Sequence, residues 1–314
     1  MNLLASLRYL AALDEHKHFG RAALACHITQ PALSNALRAL EAEFGTAIVK
    51  RGRSFGGFTA EGERVLASAQ RMLHERELLQ QDLDSIAGAP KGSLVIGAVP
   101  TAIPIASRFA AMLQTRHPGI NMVVRSMSST ELENGLESMS LDMGLGYIDR
   151  MVRLGRRLRN VSQYTEHYFL VRRAKQSHSE HLQIGPKITW AEAGALPMCL
   201  LTPEMHNREI VDAAFTEAGK CVTPVIETNA ILTLCLSVMV GDVCSVLPGA
   251  LIGAVRGYRE LEALPLVSPE VRTNIGFMIQ AGDRNSRTLE AAITMAEDAA
   301  WLRHAAAHSG LLAA

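Results

Sequence analysis

Four side chains within one short stretch have the chemistry to read nucleic acid. Between Phe19 and Glu41, Gln30, Ser34, Asn35 and Arg38 recur at helical spacing and share one face. Gln and Asn pair bidentately with adenine, Ser bonds a base or a phosphate, and Arg reaches guanine or phosphate, so the set suits a DNA major groove. Thr29 is placed to cap this helix, and Pro31 fits its opening positions, where a missing N–H costs little. Both count with the candidate DNA-contacting residues. Arg21 precedes the helix, and Lys50, Arg51 and Arg53 follow in a glycine-rich turn as candidate phosphate contacts. A formal net charge of +0 does not exclude this role. Salt confines the field of a local basic patch to roughly 10 Å, so the rest of the chain can be neutral.

A second set of candidates lies in four turns, each after an apolar run and before a helical one. These are 99–104, 127–130, 202–206 and 228–230. In α/β folds, ligands bind beyond the carboxyl ends of strands, and helix N-termini there favour anions. Thr101, Ala102, Met127, Ser128, Ser129, Tyr147, Thr202, Met205, His206 and Asn229 are the candidate ligand contacts, and a small carboxylate is the expected ligand. Met127 and Met205 leave an aromatic or branched acid open. Residue by residue there are plainer readings. Thr130-x-x-Glu133 has the form of a capping box, so Thr130 can act as a cap alone. Asn229 can cap its own helix, His206 can be a surface or cap residue, and Tyr147 can simply fill a lobe edge.

Catalysis has little support. No G-x-G-x-x-G, G-x-x-x-x-G-K-[ST] or G-x-S-x-G is present, and no nucleophile set is recognisable. No catalytic residue, metal ligand or cofactor is expected. The five cysteines, Cys26, Cys199, Cys221, Cys235 and Cys244, form no C-x-x-C pair and read as small hydrophobes in a reducing compartment. A redox sensor remains the alternative, with Cys199 and Cys221 as the pair to watch. The N-terminus resembles a packed helix more than a signal peptide, because Arg8 interrupts it and Asp14 follows. The segment 231–240 is too short to cross a membrane. A cytoplasmic protein without membrane contact is expected.

The elements that must position these residues divide the 314-residue chain into segments. Residues 1–58 read as a helical DNA-binding unit, with helices over 3–13, 20–25 and 31–43. Leu3, Leu7, Leu10 and Leu13 form one core stripe, and Leu24, Ile28, Leu33, Leu37 and Leu40 form another. Small residues at Ala22, Ala23 and Cys26 let helices approach closely. Residues 59–90 read as a linker centred on a helix over 59–87. Thr59 caps it, and Val65, Ala69, Met72, Arg76, Leu79, Leu83 and Ile86 make a heptad seam suited to dimerisation. Residues 91–314 alternate strands and helices in two blocks, which indicates two lobes with parallel sheets. Strands are expected over 94–97, 121–126, 141–146, 197–201, 222–227 and 243–247, and helices over 104–116, 130–139, 207–218, 229–240 and 286–304. The chain crosses between lobes near 161–167 and returns near 264–268. Lobe I takes 91–162 and 267–314, and lobe II takes 163–266.

At Ala22-Ala23, Leu24, Thr29-Gln30-Pro31-Ala32, Leu33-Ser34, Leu40-Glu41, Phe44-Gly45, Arg51 and Thr59-x-x-Gly62 the chain resembles the winged helix-turn-helix of LysR-type transcriptional regulators. The resemblance is specific in the first 65 residues, and the layout agrees throughout. It departs in the wing, where Ala47-Ile48-Val49-Lys50 replaces the usual Leu-Phe before Arg51. At Asn35 a longer basic or amide side chain is frequent, and Phe58 stands for a leucine. The resemblance implies an α/β protein with an N-terminal winged helix-turn-helix, a long linker helix and a two-lobed effector domain like periplasmic binding proteins. It implies double-stranded promoter DNA, a small organic effector and RNA polymerase as partners, and a homodimer or a homotetramer built from dimers. It places effector contacts at the same turns, above all Thr101 and 127–129. The competing functions are a redox-sensing member of the same family, a solute-binding protein and an enzyme. A solute-binding protein leaves the first 90 residues unexplained.

Overall fold

Three helices open the computed structural model, which describes residues 2–50, 52, 54–84, 89–153, 158–174, 180–280 and 285–309. They are α1 (Leu3–His16), α2 (Phe19–Ala25) and α3 (Gln30–Phe44). Each has a side-chain cap: Asn2 accepts from Ala5 N, His18 from Gly20 N and Arg21 N, and Thr29 from Ala32 N. Gly45 ends α3 in the left-handed conformation, at φ 64. Leu7, Leu10 and Leu13 pack with Ala22, Ala23, Leu33, Leu37 and Leu40 in one core.

Two expected core residues lie outside it. Leu3 is exposed because it starts its helix, beyond the packed turns. Leu24 is 76% exposed. The inward stripe of α2 is Ala22 and Ala23, and one further residue rotates the side chain about 100° away from it.

α4 (Ala60–Asp84) follows, with Thr59 Oγ1 accepting from Gly62 N at 2.9 Å as its cap. Its first turns belong to the helical core through Val65, Leu66, Ala69 and Leu73. The expected seam is therefore divided. Val65 and Ala69 cover their own domain, whereas Met72, Arg76, Leu79 and Leu83 are exposed; Ile86 lies outside the described residues. The chain separates near this point into two units, one formed by Met1–Ile86 and Ser138–Ser140 and a second formed by Ala87–Glu137 and Leu141–Ala314.

The second unit begins with β1 (Gly92–Ala98), a single 3-10 turn over Pro100–Ala102, α5 (Ile103–Arg116), β2 (Ile120–Ser126), α6 (Ser129–Glu137), β3 (Met143–Tyr147) and α7 (Ile148–Arg153). A long strand, β4 (Leu158–Arg173), leads to β5 (Gln183–Ile184), β6 (Ile188–Thr189), α8 (Trp190–Ala193), β7 (Cys199–Leu201), α9 (His206–Glu217), β8 (Ile226–Thr228), α10 (Ile231–Val240), β9 (Ser245–Pro248) and α11 (Gly249–Ala254). β10 (Leu261–Val267), β11 (Arg272–Gln280), α12 (Arg287–Ala296) and α13 (Ala299–His308) complete it.

The sheet is mixed rather than parallel, with the order β2-β1-β3-β11-β4-β10-β5. β1 runs parallel to β2 and β3, but β11 is antiparallel to β3 and to β4. The segments expected as mere crossovers are full strands. Residues 158–167 of β4 pair with β11, and residues 168–173 pair with β9 or β10, so one strand serves both lobes. Beyond the junction its side chains alternate: Tyr168 and Leu170 enter one core, Phe169 and Val171 another. The first lobe packs Phe109 against Phe277 and Trp301, at ring separations of 4.5 and 5.0 Å.

Three local expectations change. The strand expected at 222–227 is confined to β8, and the residues before it include Pro224, which has no N–H for a ladder. The final helix breaks in two because Asp298 caps a new one, accepting from Ala300 N and Trp301 N. The capping box of α6 is Ser128/Glu131, not Thr130/Glu133. Glu133 instead pairs with Arg150 at 2.6 Å.

Candidate functional site

Gln30, Asn35 and Arg38 project from α3 into solvent, and Ser34 beside them is half-buried. Asn35 Oδ1 accepts from Arg38 Nη1 at 3.3 Å, so these two hold each other in position. Thr29 serves the helix as its cap, Pro31 sits in the first turn, and Arg21 is exposed on α2. Beyond α3 the chain forms a narrow hairpin, with Val49 bridged to Phe58 and Lys50 N bonded to Gly57 O at 3.0 Å. Lys50 is exposed at its base; Arg51 and Arg53 lie outside the described residues. Between α3 and this hairpin runs an open groove of about 360 Å³, bordered by Gln30, Ser34, Arg38 and Lys50.

The hairpin is anchored by Glu41 and Gly62, which had no assigned role at the outset, and by Thr59, expected only as a helix cap. Glu41 Oε1 accepts from Ile48 N at 2.8 Å and Val49 N at 3.1 Å. Thr59 Oγ1 donates to Ala47 O at 2.6 Å. Gly62 lies so close that a Cβ there would be 2.1 Å from Ile48 O. Glu41 and Thr59-x-x-Gly62 stand among the residues of the family resemblance, and the geometry supplies their physical reason: they fix the wing to α3 and α4.

In the second unit, three of the four turns converge on one crevice. Val99, Pro100 and Thr101 line it from the first turn, Ser128 and Ser129 from the second, and Met205, His206 and Asn207 from the third, with Tyr147 and Leu201 between them. The space is about 10 Å³, near the smallest that admits one water. Thr101 Oγ1 and Tyr147 OH are 3.1 Å apart, and Asn207 Nδ2 donates to Tyr147 OH at 3.3 Å. Burial, foremost, pushes the Tyr147 phenol far above its ordinary range, so it stays a neutral hydroxyl. Ser129 Oγ is buried with no hydrogen-bond partner. His206 is buried, meets the Tyr147 ring edge-on at 4.9 Å and bonds through Nδ1 to Glu209 at 2.6 Å. Arg150 Nη1 lies 3.5 Å from the same nitrogen.

Ser128 lines the crevice but also holds Glu131 in the cap of α6. The other candidates do not line it. Ala102 is buried in the first-lobe core, and Met127 packs against that core. Thr202 Oγ1 donates to Glu204 at 2.6 Å. Asn229 is exposed, and Thr228 rather than Asn229 bonds the Ala230 N–H. Asn207 was not among the expected contacts. Its adjacency to His206 at a helix start was the available signal.

All five cysteines are free. Burial raises the thiols of Cys26, Cys199, Cys235 and Cys244, the Cys235 thiol to about 11. Cys199 is buried on β7, whereas Cys221 is exposed. The thiol electrostatically coupled to Cys199 is that of Cys235. Among the described residues no group of three or more His, Cys, Asp or Glu could hold a metal, and no helix is long and apolar enough to cross a membrane.

Comparison with known proteins agrees with this architecture. Residues 87–301 match the LysR substrate binding domain, and residues 4–63 match the bacterial regulatory helix-turn-helix of the lysR family. The DNA-binding transcriptional dual regulator OxyR of Escherichia coli is 27% identical over 288 residues, spanning 89% of this chain and 90% of that protein. The uncharacterised regulator YnfL of the same organism is 28% identical over 260 residues, 80% of this chain and 84% of its own. Among solved structures, a full-length OxyR variant from Pseudomonas aeruginosa covers 93% of this chain and 96% of its own at TM-score 0.66 and 23% identity. CbnR bound to its target DNA covers 96% and 99% at TM-score 0.64 and 20% identity. At these identities the structures speak to the fold. The two domain matches together span both units, and the chain belongs to the LysR family of transcriptional regulators.

Proposed function

We propose that this regulator binds double-stranded promoter DNA as a homodimer or a homotetramer, and that a small anionic effector in the crevice controls its output. The observation that carries the effector reading is the convergence of Thr101, Ser129, Tyr147 and Asn207 at the carboxyl ends of strands, with the Ser129 hydroxyl buried and unmatched. A buried donor without a partner is costly to leave unmade, and a carboxylate oxygen would satisfy it. The crevice is nearly closed, so an effector larger than a water selects an arrangement with the lobes further apart. That differential affinity is what allosteric control requires. The exposed Met72, Leu79 and Leu83 of α4 supply an apolar stripe for a second copy. DNA contact falls to Gln30, Ser34, Asn35 and Arg38 for bases, and to Arg21, Lys50, Arg51 and Arg53 for phosphates. RNA polymerase is the downstream partner, and the cytoplasm the place of action.

A thermal-shift screen of small carboxylates on the full-length protein tests the effector reading. A ligand at 100 times its Kd stabilises the folded state by about 2.7 kcal/mol. Thr101→Val should remove most of that response. If no carboxylate raises the midpoint, the anion reading fails.

The relatives described as hydrogen peroxide-inducible genes activators favour a second reading, a thiol redox sensor. The raised thiols weigh against it, since the thiolate is the reactive form. Exposed Cys221 is the residue on which it would rest. Cys221→Ser should leave DNA binding under peroxide unchanged; a lost peroxide response would favour the redox reading.

A further inference from the structure

A second layer of polar groups lies behind the crevice wall. Glu166, on the strand shared by both lobes, is fully buried, and neither carboxyl oxygen has a hydrogen-bond partner. Tyr164 and Tyr168 flank it on the same strand, and Tyr147 faces it from β3; each phenol feels its charge. The other surroundings are neutral. Thr273, its register partner on β11, bonds the Tyr168 hydroxyl, and Asn207 on α9 reaches both Tyr147 and Tyr168. Arg150 is paired with Glu133, and His206 Nδ1 is bonded to Glu209. Burial raises the Glu166 carboxyl to about 8, and the Tyr164 hydroxyl, which lies near it but outside hydrogen-bond geometry, offsets part of that rise.

Tyr147 joins this layer to the crevice. Its ring lines the crevice, and its hydroxyl is bonded to Thr101 and Asn207, which line it too. An anion seated on those donors therefore lies one tyrosine away from Glu166. Two negative charges at that range in a dry interior repel, so the anion and an ionised Glu166 disfavour each other. Building on the anion reading of the crevice, we propose that Glu166 stores a proton beneath it and couples anion uptake to retention of that proton. Coupling of this kind is reciprocal: the anion tightens the hold on the proton, and loss of the proton weakens the anion.

The full-length protein and Glu166→Gln provide the test, in two parts. The first needs no ligand. In the 13C-glutamate-labelled wild type, infrared spectra should show an isotope-shifted protonated-carboxyl band near neutral pH that disappears above about pH 9. Absence of that band overturns the proposal even if the variant fails to fold. The folded carboxyl lies above its ordinary 4.5. Its stabilising effect relative to Gln is therefore complete below about pH 4.5, is lost as pH rises to about 8, and changes little beyond. Parallel thermal midpoints for the two proteins across that range would also overturn it.

The second part measures acetate and benzoate binding by calorimetry on either side of that titration. The wild-type affinity should fall by up to about tenfold per pH unit above about pH 8, and the Gln variant should bind with little pH dependence. Equal wild-type affinity at both pH values removes the coupling. No binding at either pH, with the acid band present, removes the anion reading of the crevice and the coupling with it, and leaves the stored proton standing.

Discussion

The DNA-reading unit and the crevice unit place their polar side chains by opposite means. On α3 the groups sit in solvent, and their geometry comes from contacts three residues apart, such as Thr29 with Ala32 and Asn35 with Arg38. In the crevice the groups are buried, and their partners are distant in sequence: Thr101 meets Tyr147 across 46 residues, and Asn207 meets the same hydroxyl across 60. An exposed group can wait for its ligand because water satisfies it. A buried one has no water to satisfy it, so leaving it unmatched is costly and each of its neighbours is constrained as well. The first region should tolerate substitution and lose recognition; the second should lose stability and response together.

The comparison is broken most severely at Gly62, where the exposed region depends on a close backbone approach. Gly62→Ala forces Cβ into the Ile48 carbonyl. Overpacking against backbone should destabilise the N-terminal unit by about 3 kcal/mol and abolish DNA binding. An unchanged thermal midpoint would show that the wing does not depend on this contact.

Tyr147→Phe should have an intermediate effect. It leaves Thr101 and Asn207 without the hydroxyl they share, at a cost of about 1–2 kcal/mol in chemical denaturation. DNA affinity without effector should be unchanged, and any effector response lost. Full stability would mean that the crevice groups are as forgiving as those on α3.

The smallest effect belongs to Lys50→Ala. The fold should be untouched, and the slope of log affinity against log salt should fall by about 0.9 for one phosphate contact. Arg38→Ala is its counterpart for sequence, expected to lose about tenfold of discrimination at one base position with that slope kept. If both substitutions act alike on all DNA sequences, the division between base and phosphate contacts is wrong.

Legibility followed the same division. Caps at Thr29 and Thr59 and the cores of α1 and α3 could be read directly, because helix signals are local. Leu24 misled because composition alone does not say which side of α2 meets the core. The crossovers expected near 161–167 and 264–268 are parts of β4 and β10, and β11 was not foreseen; the partners of residues 158–167 lie about a hundred residues on, beyond the reach of local pattern. The crevice was half legible. The turns carrying Thr101, Ser129 and His206 stood out, but Met127, Thr202 and Asn229 turned to local partners or to solvent, and Asn207 was passed over.

By itself the sequence determined the family, the helix-turn-helix unit and the alternation of elements that builds two lobes, since each rests on short-range periodicity and spacing. Only the tertiary structure decided that the sheet is mixed, that Glu41 and Gly62 hold the wing, and that Glu166 lies unpartnered behind the crevice. Those depend on which distant strands come together, and burial changes the chemistry of a side chain without changing its name.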